Sequence, residues 1–202
     1  AYLDGRIIRY FDGKDDYEVM SVDDMHLFGN HNYENVMAAI AMTIEAGVPL
    51  NIIINVIKDF MGVEHRIEYV RDKNGVRYYN DSKGTNPDSS IKALEAMSRP
   101  TILIAGGYDK HSEFDEFIEA FDNKVKLMVL LGQTADKIEE TAVRHGFTNI
   151  IKTDSLEKAV KICAENAVSG DVVLLSPACA SWGMFKNYEE RGKLFKEYVN
   201  SL

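Results

Sequence analysis

The sequence predicts an α/β fold with a mostly parallel sheet covered by helices, and three observations carry that expectation. Three short runs, Thr101–Ala105, Leu127–Leu131 and Val172–Leu175, are apolar at every position instead of alternating, as strands buried on both faces are. Each run ends in turn residues: Gly106-Gly107, Gly132-Gln133-Thr134 and Ser176-Pro177. Each is then followed by helical spacing, over Phe114 to Phe121, over Ala135 to Val143, and in a final helix through Leu194, Phe195 and Tyr198.

The elements between them complete the pattern. Ile150-Ile151 reads as a short strand, and Leu156, Ala159, Val160, Ile162 and Cys163 as one helix face. Upstream, Ile67 to Arg71 and Val76 to Asn80 flank Asp72-Lys73-Asn74-Gly75, a hairpin with Asn-Gly in its turn. Pro87-Asp88-Ser89 then opens a helix whose apolar positions include Ile91 and Leu94.

Before Gly62 the texture differs. Ile7, Ile8, Tyr10 and Phe11, then a polar turn at Asp12 to Asp16, then Tyr17, Val19 and Met20 predict a hairpin. A lone hairpin cannot bury its apolar face, so its sheet is expected to lie mostly elsewhere. Val36, Met37, Ile40, Ala41 and Ile44 predict a helix stopped by Gly47 and Pro49, and a second helix runs from about Asn51 to Phe60. The change of texture places a domain boundary near Gly62, giving units 1–62 and 63–202.

Composition bounds the function. At 202 residues and 46% apolar content the chain can bury a core. A net charge of -9 argues against nucleic acid, which needs a basic face. No apolar run approaches the roughly 20 residues of a membrane span, and the N-terminus lacks a signal-peptide layout. The two cysteines, Cys163 and Cys179, have no metal-ligand spacing, and cytoplasmic localisation is the expectation. His31, His65 and His111 share no ligand spacing either, so no metal site is expected.

In a parallel sheet the loops leaving the carboxyl ends of the strands share one edge, where ligands collect. Asp81 to Thr85, Tyr108 to His111, and Ser176 to Ser181 all leave strands in that sense. Their convergence would gather Lys83, Lys110, Thr85 and Ser181 into a crevice suited to a carboxylate or phosphate. No complete phosphate-cradling Gly-rich signature is present. Plainer roles are open to each residue. Asp81 and Asn86 could form a turn, Lys110 could be a solvated charge, Ser181 a helix cap, and Arg66 a surface strand charge. Cys179 suits packing better than nucleophilic chemistry, having no adjoining base. Asn32 and Asn35, three apart, either present amides on one side of a helix start or divide into a cap and a solvated residue.

Five segments also resemble, in order, the motifs of the Mur ligases that add D-glutamate. Asp81-Ser82-Lys83-Gly84-Thr85-Asn86 is similar to D-S-K-[AG]-T-N; Ser176-Pro177-Ala178-Cys179-Ala180-Ser181 followed by Phe185-Lys186-Asn187-Tyr188-Glu189-Glu190-Arg191-Gly192 to S-P-A-C-A-S and F-K-N-[FY]-x-x-R-G. Gly29 to Asn35 resembles G-x-H-N-x-x-N, His65-Arg66-Ile67-Glu68 resembles H-R-x-E, and Gly106 to Lys110 resembles G-G-x-x-K.

The resemblance implies a Rossmann-like C-terminal domain preceded by a hairpin and two helices from the end of a central ATPase domain. It implies a ligase that forms an acyl phosphate from ATP and the carboxylate of UDP-N-acetylmuramoyl-L-alanine, for attack by the amine of D-glutamate. Thr85 and Lys110 would hold the glutamate α-carboxylate, and Ser181 and the backbone of Tyr188 its side-chain carboxylate. Lys83 would act at the acyl phosphate. Asp81 and Arg66 would meet ATP at its ribose and phosphates, and Asn32 and Asn35 its adenine end. ATP and Mg2+ belong to the whole enzyme; a uridine-nucleotide domain and most of the ATPase domain are missing here, so this piece is expected to be inactive alone and to hold neither tightly.

His111 and Gly183 depart from what relatives commonly carry. Two other readings stay open: a related Mur or folylpolyglutamate-type ligase with another acceptor, and a non-catalytic Rossmann-like binding module.

Overall fold

A three-stranded antiparallel sheet, not a two-stranded hairpin, opens the chain: β1 (Tyr2–Asp4), β2 (Ile7–Phe11) and β3 (Asp16–Ser21), in that order. The sequence signal missed β1 because three exposed residues carry no periodicity; Gly5, at φ +60°, makes the tight turn into β2. Ile8, Tyr10, Val19 and Met20 bury themselves with Val36 and Ile40 of α1 (Asn30–Glu45) and Ile53 of α2 (Leu50–Asp59), so two amphipathic helices cover the sheet's apolar side. The Tyr10 hydroxyl donates to Glu45 near the end of α1.

The computed structural model describes residues 1–202, which fall into two units, Ala1–Gly62 and Val63–Leu202. The second unit is built on six strands in the order β4-β5-β9-β6-β7-β8. β4 (Glu68–Lys73) and β5 (Val76–Asn80) are antiparallel, joined by Asn74 and Gly75, both at positive φ, as a tight Asn-Gly hairpin turn requires. All the other pairings are parallel: β9 (Val172–Leu175) lies between β5 and β6 (Thr101–Ala105), and β7 (Val125–Leu130) and β8 (Ile150–Lys152) follow.

Alternation along the buried strands divides the core. Ile102, Ile104, Leu127, Val129 and Val173 pack with α6 (Leu156–Asn166) and α7 (Tyr188–Ser201), while Leu103, Met128 and Leu130 are equally buried but lie outside that cluster. The remaining helices are α3 (Pro87–Ala96), α4 (Asp115–Glu119) and α5 (Ala135–Arg144), each adjacent to the next. α4 is shorter than expected: Phe114 stands at its N-cap and the helix already ends at Ala120, before Asp122 and Asn123 take left-handed φ. β7 starts earlier than its apolar run because Lys126 is a strand residue whose ammonium pairs with buried Asp171.

The chain leaves β5, crosses through α3 to β6, and returns last to fill the gap with β9. The carboxyl ends of three neighbouring parallel strands therefore meet at a topological switch, the place where such sheets bind ligands.

Candidate functional site: cross-linked loops at the carboxyl edge

Four loops meet at this edge, and hydrogen bonds join them. After β6, Gly106 N donates to Pro177 O at 2.8 Å and Tyr108 N to Ala180 O at 2.8 Å, so the β6 and β9 loops run on as a short ladder. From the β7 loop, the Thr134 hydroxyl accepts from Gly107 N at 3.0 Å. A Cβ on Gly106 or Gly107 would run into the carbonyl oxygen of Leu131 or Ala180. The Gly-Gly pair thus serves close loop packing, which accounts for it without a phosphate.

The β5 loop is tied in from beneath. Asp81 N donates to Leu175 O at 2.7 Å, and its carboxylate, 5% exposed, accepts from the Ser176 hydroxyl at 2.7 Å and from Ile67 N at 3.3 Å. The Ser90 hydroxyl, on α3, lies 2.8 Å from that of Ser176 and accepts from Ala178 N at 3.0 Å. A Cβ on Gly84 would strike Asp81, Ser176 and Ser90 together, so only glycine fits there. Burial pushes the Asp81 carboxyl up to about 7; Ser176, the Ile67 amide and the nearby cations Arg66 and Arg191 offset only part of it.

Arg191 is the principal cross-link. Only 2% exposed, it donates from Nε to Ser82 Oγ at 3.0 Å, from Nη2 to Ser82 O at 2.8 Å and from Nη1 to Cys179 O at 3.2 Å. One planar guanidinium thereby fixes the β5 loop against the β9 loop. Burial pushes its pKa down to about 10, which leaves it charged at neutral pH. In the sequence Arg191 stands within a motif, with no role of its own to be read from it. The available signal was Gly192 inside a helix, a position that costs ~1 kcal/mol without a packing reason. Here the reason is His65, whose ring a Cβ on Gly192 would enter.

On this frame the structure places the expected residues as follows. Ser181 is 4% exposed, yet its hydroxyl makes no hydrogen bond within the protein. Thr85 is half-buried, and its hydroxyl is likewise unpartnered. Lys110 is exposed, its ammonium 5.4 Å from the centroid of the Trp182 ring, which packs against Tyr108 at 5.5 Å. Lys83 sits with Nζ 3.8 Å from the centroid of the Tyr188 ring and makes no ion pair. The Tyr188 carbonyl accepts from the Ser82 hydroxyl at 2.8 Å, while its N–H opens α7, where helix donors have no partner of their own. Arg66 is exposed and close enough to Asp81 to draw that carboxyl downward.

Asn32 and Asn35 both lie in the first turns of α1: Asn32 Nδ2 donates to Phe28 O at 2.8 Å, and Asn35 is exposed. They belong to the other unit. Asn86 caps α3 through Ser89 N at 2.9 Å. Cys179 is buried, 3.2 Å from Thr134 Oγ1, and burial pushes its thiol up to about 11, which suits packing. His111 takes a left-handed φ of +62°, its N–H donating to Asp109 Oδ1 at 2.7 Å.

A further group lies beside the β5 loop. Asn80 Oδ1 accepts from Ser82 N, so its amide nitrogen must donate, and it points at His65 Nδ1 (2.9 Å) and Glu68 Oε2 (3.0 Å). His65 is therefore protonated on Nε2, which has no acceptor within reach, and burial holds its pKa below the ordinary value. Lys196 bridges Glu64 and Glu68 at 2.6 and 2.8 Å, so an ammonium already occupies the place a cation would take between them.

The β5 and β6 loops and the start of the β9 loop lie within a match to a known family. Residues 65–179 fit the family described as "Mur ligase, glutamate ligase domain". The chain belongs to that family. Among curated relatives, the UDP-N-acetylmuramoylalanine--D-glutamate ligase of Lachnospira eligens is 64% identical over 202 residues, all of this chain and 45% of the relative. The enzyme of the same name from Lachnoclostridium phytofermentans is 57% identical over 195 residues, 96% of this chain and 43% of the relative. The chain thus spans somewhat under half the length of the curated relatives it matches. Solved Mur ligase structures share the fold at low identity. A pseudomurein peptide ligase type C from Methanothermus fervidus aligns with a TM-score of 0.71 at 15% identity over 98% of this chain and 40% of that one. The UDP-N-acetylmuramate-alanine ligase of Thermotoga maritima gives 0.67 at 16% over 93% and 40%.

Proposed function

We propose that this Mur ligase chain is the amino-acid-binding part of an ATP-dependent amide ligase that adds D-glutamate to UDP-N-acetylmuramoyl-L-alanine in the cytoplasm, during peptidoglycan synthesis. The observation that carries the reading is a set of polar groups at the switch edge without hydrogen-bond or ion-pair partners inside the protein: the Ser181 and Thr85 hydroxyls and the Lys83 and Lys110 ammonium groups. A dicarboxylate supplies acceptors for three of them. Thr85 and Lys110 take the α-carboxylate; the Ser181 hydroxyl and the Tyr188 N–H take the side-chain carboxylate.

Lys83 is left to offset charge at the acyl phosphate. Tyr188 and Ser82 hold its segment in place, so the ammonium is positioned before substrate arrives. For ATP, Arg66 presents an exposed guanidinium and Asn35 an exposed amide, groups that suit a polyphosphate and a purine edge. Asn32 keeps its amide oxygen for the same purine, its nitrogen being taken by Phe28 O. Asp81 meets a ribose only through what Ser176 and the Ile67 amide leave of its carboxylate. ATP with Mg2+ supplies the phosphoryl group that activates the acceptor carboxylate.

The test uses the full-length enzyme carrying Lys110→Ala or Ser181→Ala. Loss of one charge-assisted hydrogen bond, roughly 1.5–3 kcal/mol, raises the KM for D-glutamate about 10- to 100-fold with the KM for ATP unchanged. An unaltered glutamate KM in both variants favours a binding module that has kept the loops. Equal turnover of L-glutamate assigns the chain to a ligase with another acceptor.

A further inference from the structure

The β6 loop carries a carboxylate on either side of its exposed lysine: Asp109 directly before Lys110, and Glu113 after it. Opposite charges this close in the chain attract, and an ammonium so placed is drawn toward one carboxylate or the other. Lys110 nevertheless makes no ion pair; its ammonium stays out beside the Trp182 ring.

The residue that engages the two carboxylates is Lys137, in the first turn of α5. Its ammonium donates to Ser112 O at 2.7 Å and lies 3.7 Å from Glu113 Oε1 and 4.0 Å from Asp109 Oδ2. The centroid of the Phe114 ring is 5.7 Å away. A cation in the first turn opposes the helix dipole, so on local grounds lysine is a poor choice there. The oxygens of the β6 loop offset that cost. The start of α5 is itself fixed to the same loop: Thr134 N donates to Gly107 O at 3.1 Å, and Gln133 Oε1 accepts from Asp109 N at 3.3 Å. Asp109 Oδ1 accepts from His111 N, which holds His111 in its left-handed φ. The backbone on both sides of Lys110 is thereby tied down, while its side chain is left exposed.

We propose that Lys137 is a positioning residue for Lys110: by engaging Asp109, Glu113 and the Ser112 carbonyl, it keeps the Lys110 ammonium unpaired and its loop ordered before glutamate arrives. Lys137 does not touch the ligand, since its ammonium is engaged by the loop. The inference rests on the ligase reading, in which Lys110 takes the α-carboxylate.

Variants of the full-length enzyme test it. Lys137→Met keeps the aliphatic stem and removes the charge. It should raise the KM for D-glutamate about fivefold, the factor that goes with ordering one residue on binding instead of beforehand, with kcat and the KM for ATP unchanged. Lys137→Arg keeps charge and donors and should recover at least half of that change. In a Lys110→Ala background, Lys137→Met should alter the glutamate KM no further, because the group it positions is gone. The urea midpoint should barely move, as expected for a partly exposed ion pair. An unchanged glutamate KM in Lys137→Met, beside a raised one in Lys110→Ala, would overturn the inference and leave the ligase reading standing. So would additive effects in the double variant, which would make Lys137 a ligand contact in its own right, or a lowered urea midpoint with the KM unmoved. No effect of Lys110→Ala itself would remove the ligase reading, and this inference with it.

Discussion

Asp81 gives the sharpest quantitative consequence of the site's construction. Its carboxyl rises from an ordinary 3.8 to about 7, mainly through burial. At ~1.4 kcal/mol per pH unit this corresponds to about 4 kcal/mol between its two protonation states. The folded pKa lies above the unfolded one, so between those values the folded state binds more protons. Asp81 therefore makes stability fall as pH rises from about 4 to about 7, after which its effect is constant. His65 works the other way: its folded pKa is depressed, so it favours folding as pH rises toward its unfolded value near 6.5. The two partly cancel in the native protein, and the difference between native and Asp81→Asn isolates Asp81.

The expected result is that Asp81→Asn gains stability relative to the native chain by about 3 kcal/mol on going from about pH 4.5 to about pH 8. Urea unfolding followed by tryptophan fluorescence measures it cleanly, because the chain's single tryptophan, Trp182, lies in the unit that holds Asp81. A difference that stays constant with pH, or that moves in the opposite direction, would show that the carboxylate is ionised at no cost and that its burial has been misread.

Two further outcomes follow from the same packing. Arg191→Met removes three donors and strands the carbonyls of Ser82 and Cys179; unfolding free energy should fall by at least about 2 kcal/mol, and in the full-length enzyme the KM for D-glutamate should rise. Arg191→Lys keeps the charge but not the fork, and should recover less than half of the loss by the same two measurements. Gly192→Ala would ordinarily stabilise a helix by ~1 kcal/mol, but here the methyl meets the His65 ring, so a net loss is expected on urea unfolding, reversed when His65→Ala is added.

Sequence periodicity found the large sheet because three of its strands carry short runs apolar on both faces, each followed by turn residues and a helical pattern. It missed β1, where Tyr2, Leu3 and Asp4 are all exposed and pairing with β2 is purely a matter of backbone bonds. The same division governs the site. Loops after β5, β6 and β9 could be assigned to one edge from strand direction alone, and Lys83, Thr85, Lys110 and Ser181 stand out as polar side chains in them.

What spacing could not disclose is how the loops are held. Arg191 looks like one more helix charge until its partners are known: two backbone carbonyls and a hydroxyl, none of them ionised. Asp81, read as a turn former or a ribose contact, is buried under Ser176 and Ser90, residues 95 and 9 positions away in the chain. Both cases have one cause. Long-range hydrogen bonds between loops leave no period in a sequence, and only the motif resemblance marked these residues. A site assembled in this way needs its buried charges to cross-link the loops, so the groups facing ligand can remain without partners. Replacing a cross-linking residue and replacing a ligand-facing residue should therefore separate experimentally: the first lowers stability together with affinity, the second lowers affinity alone.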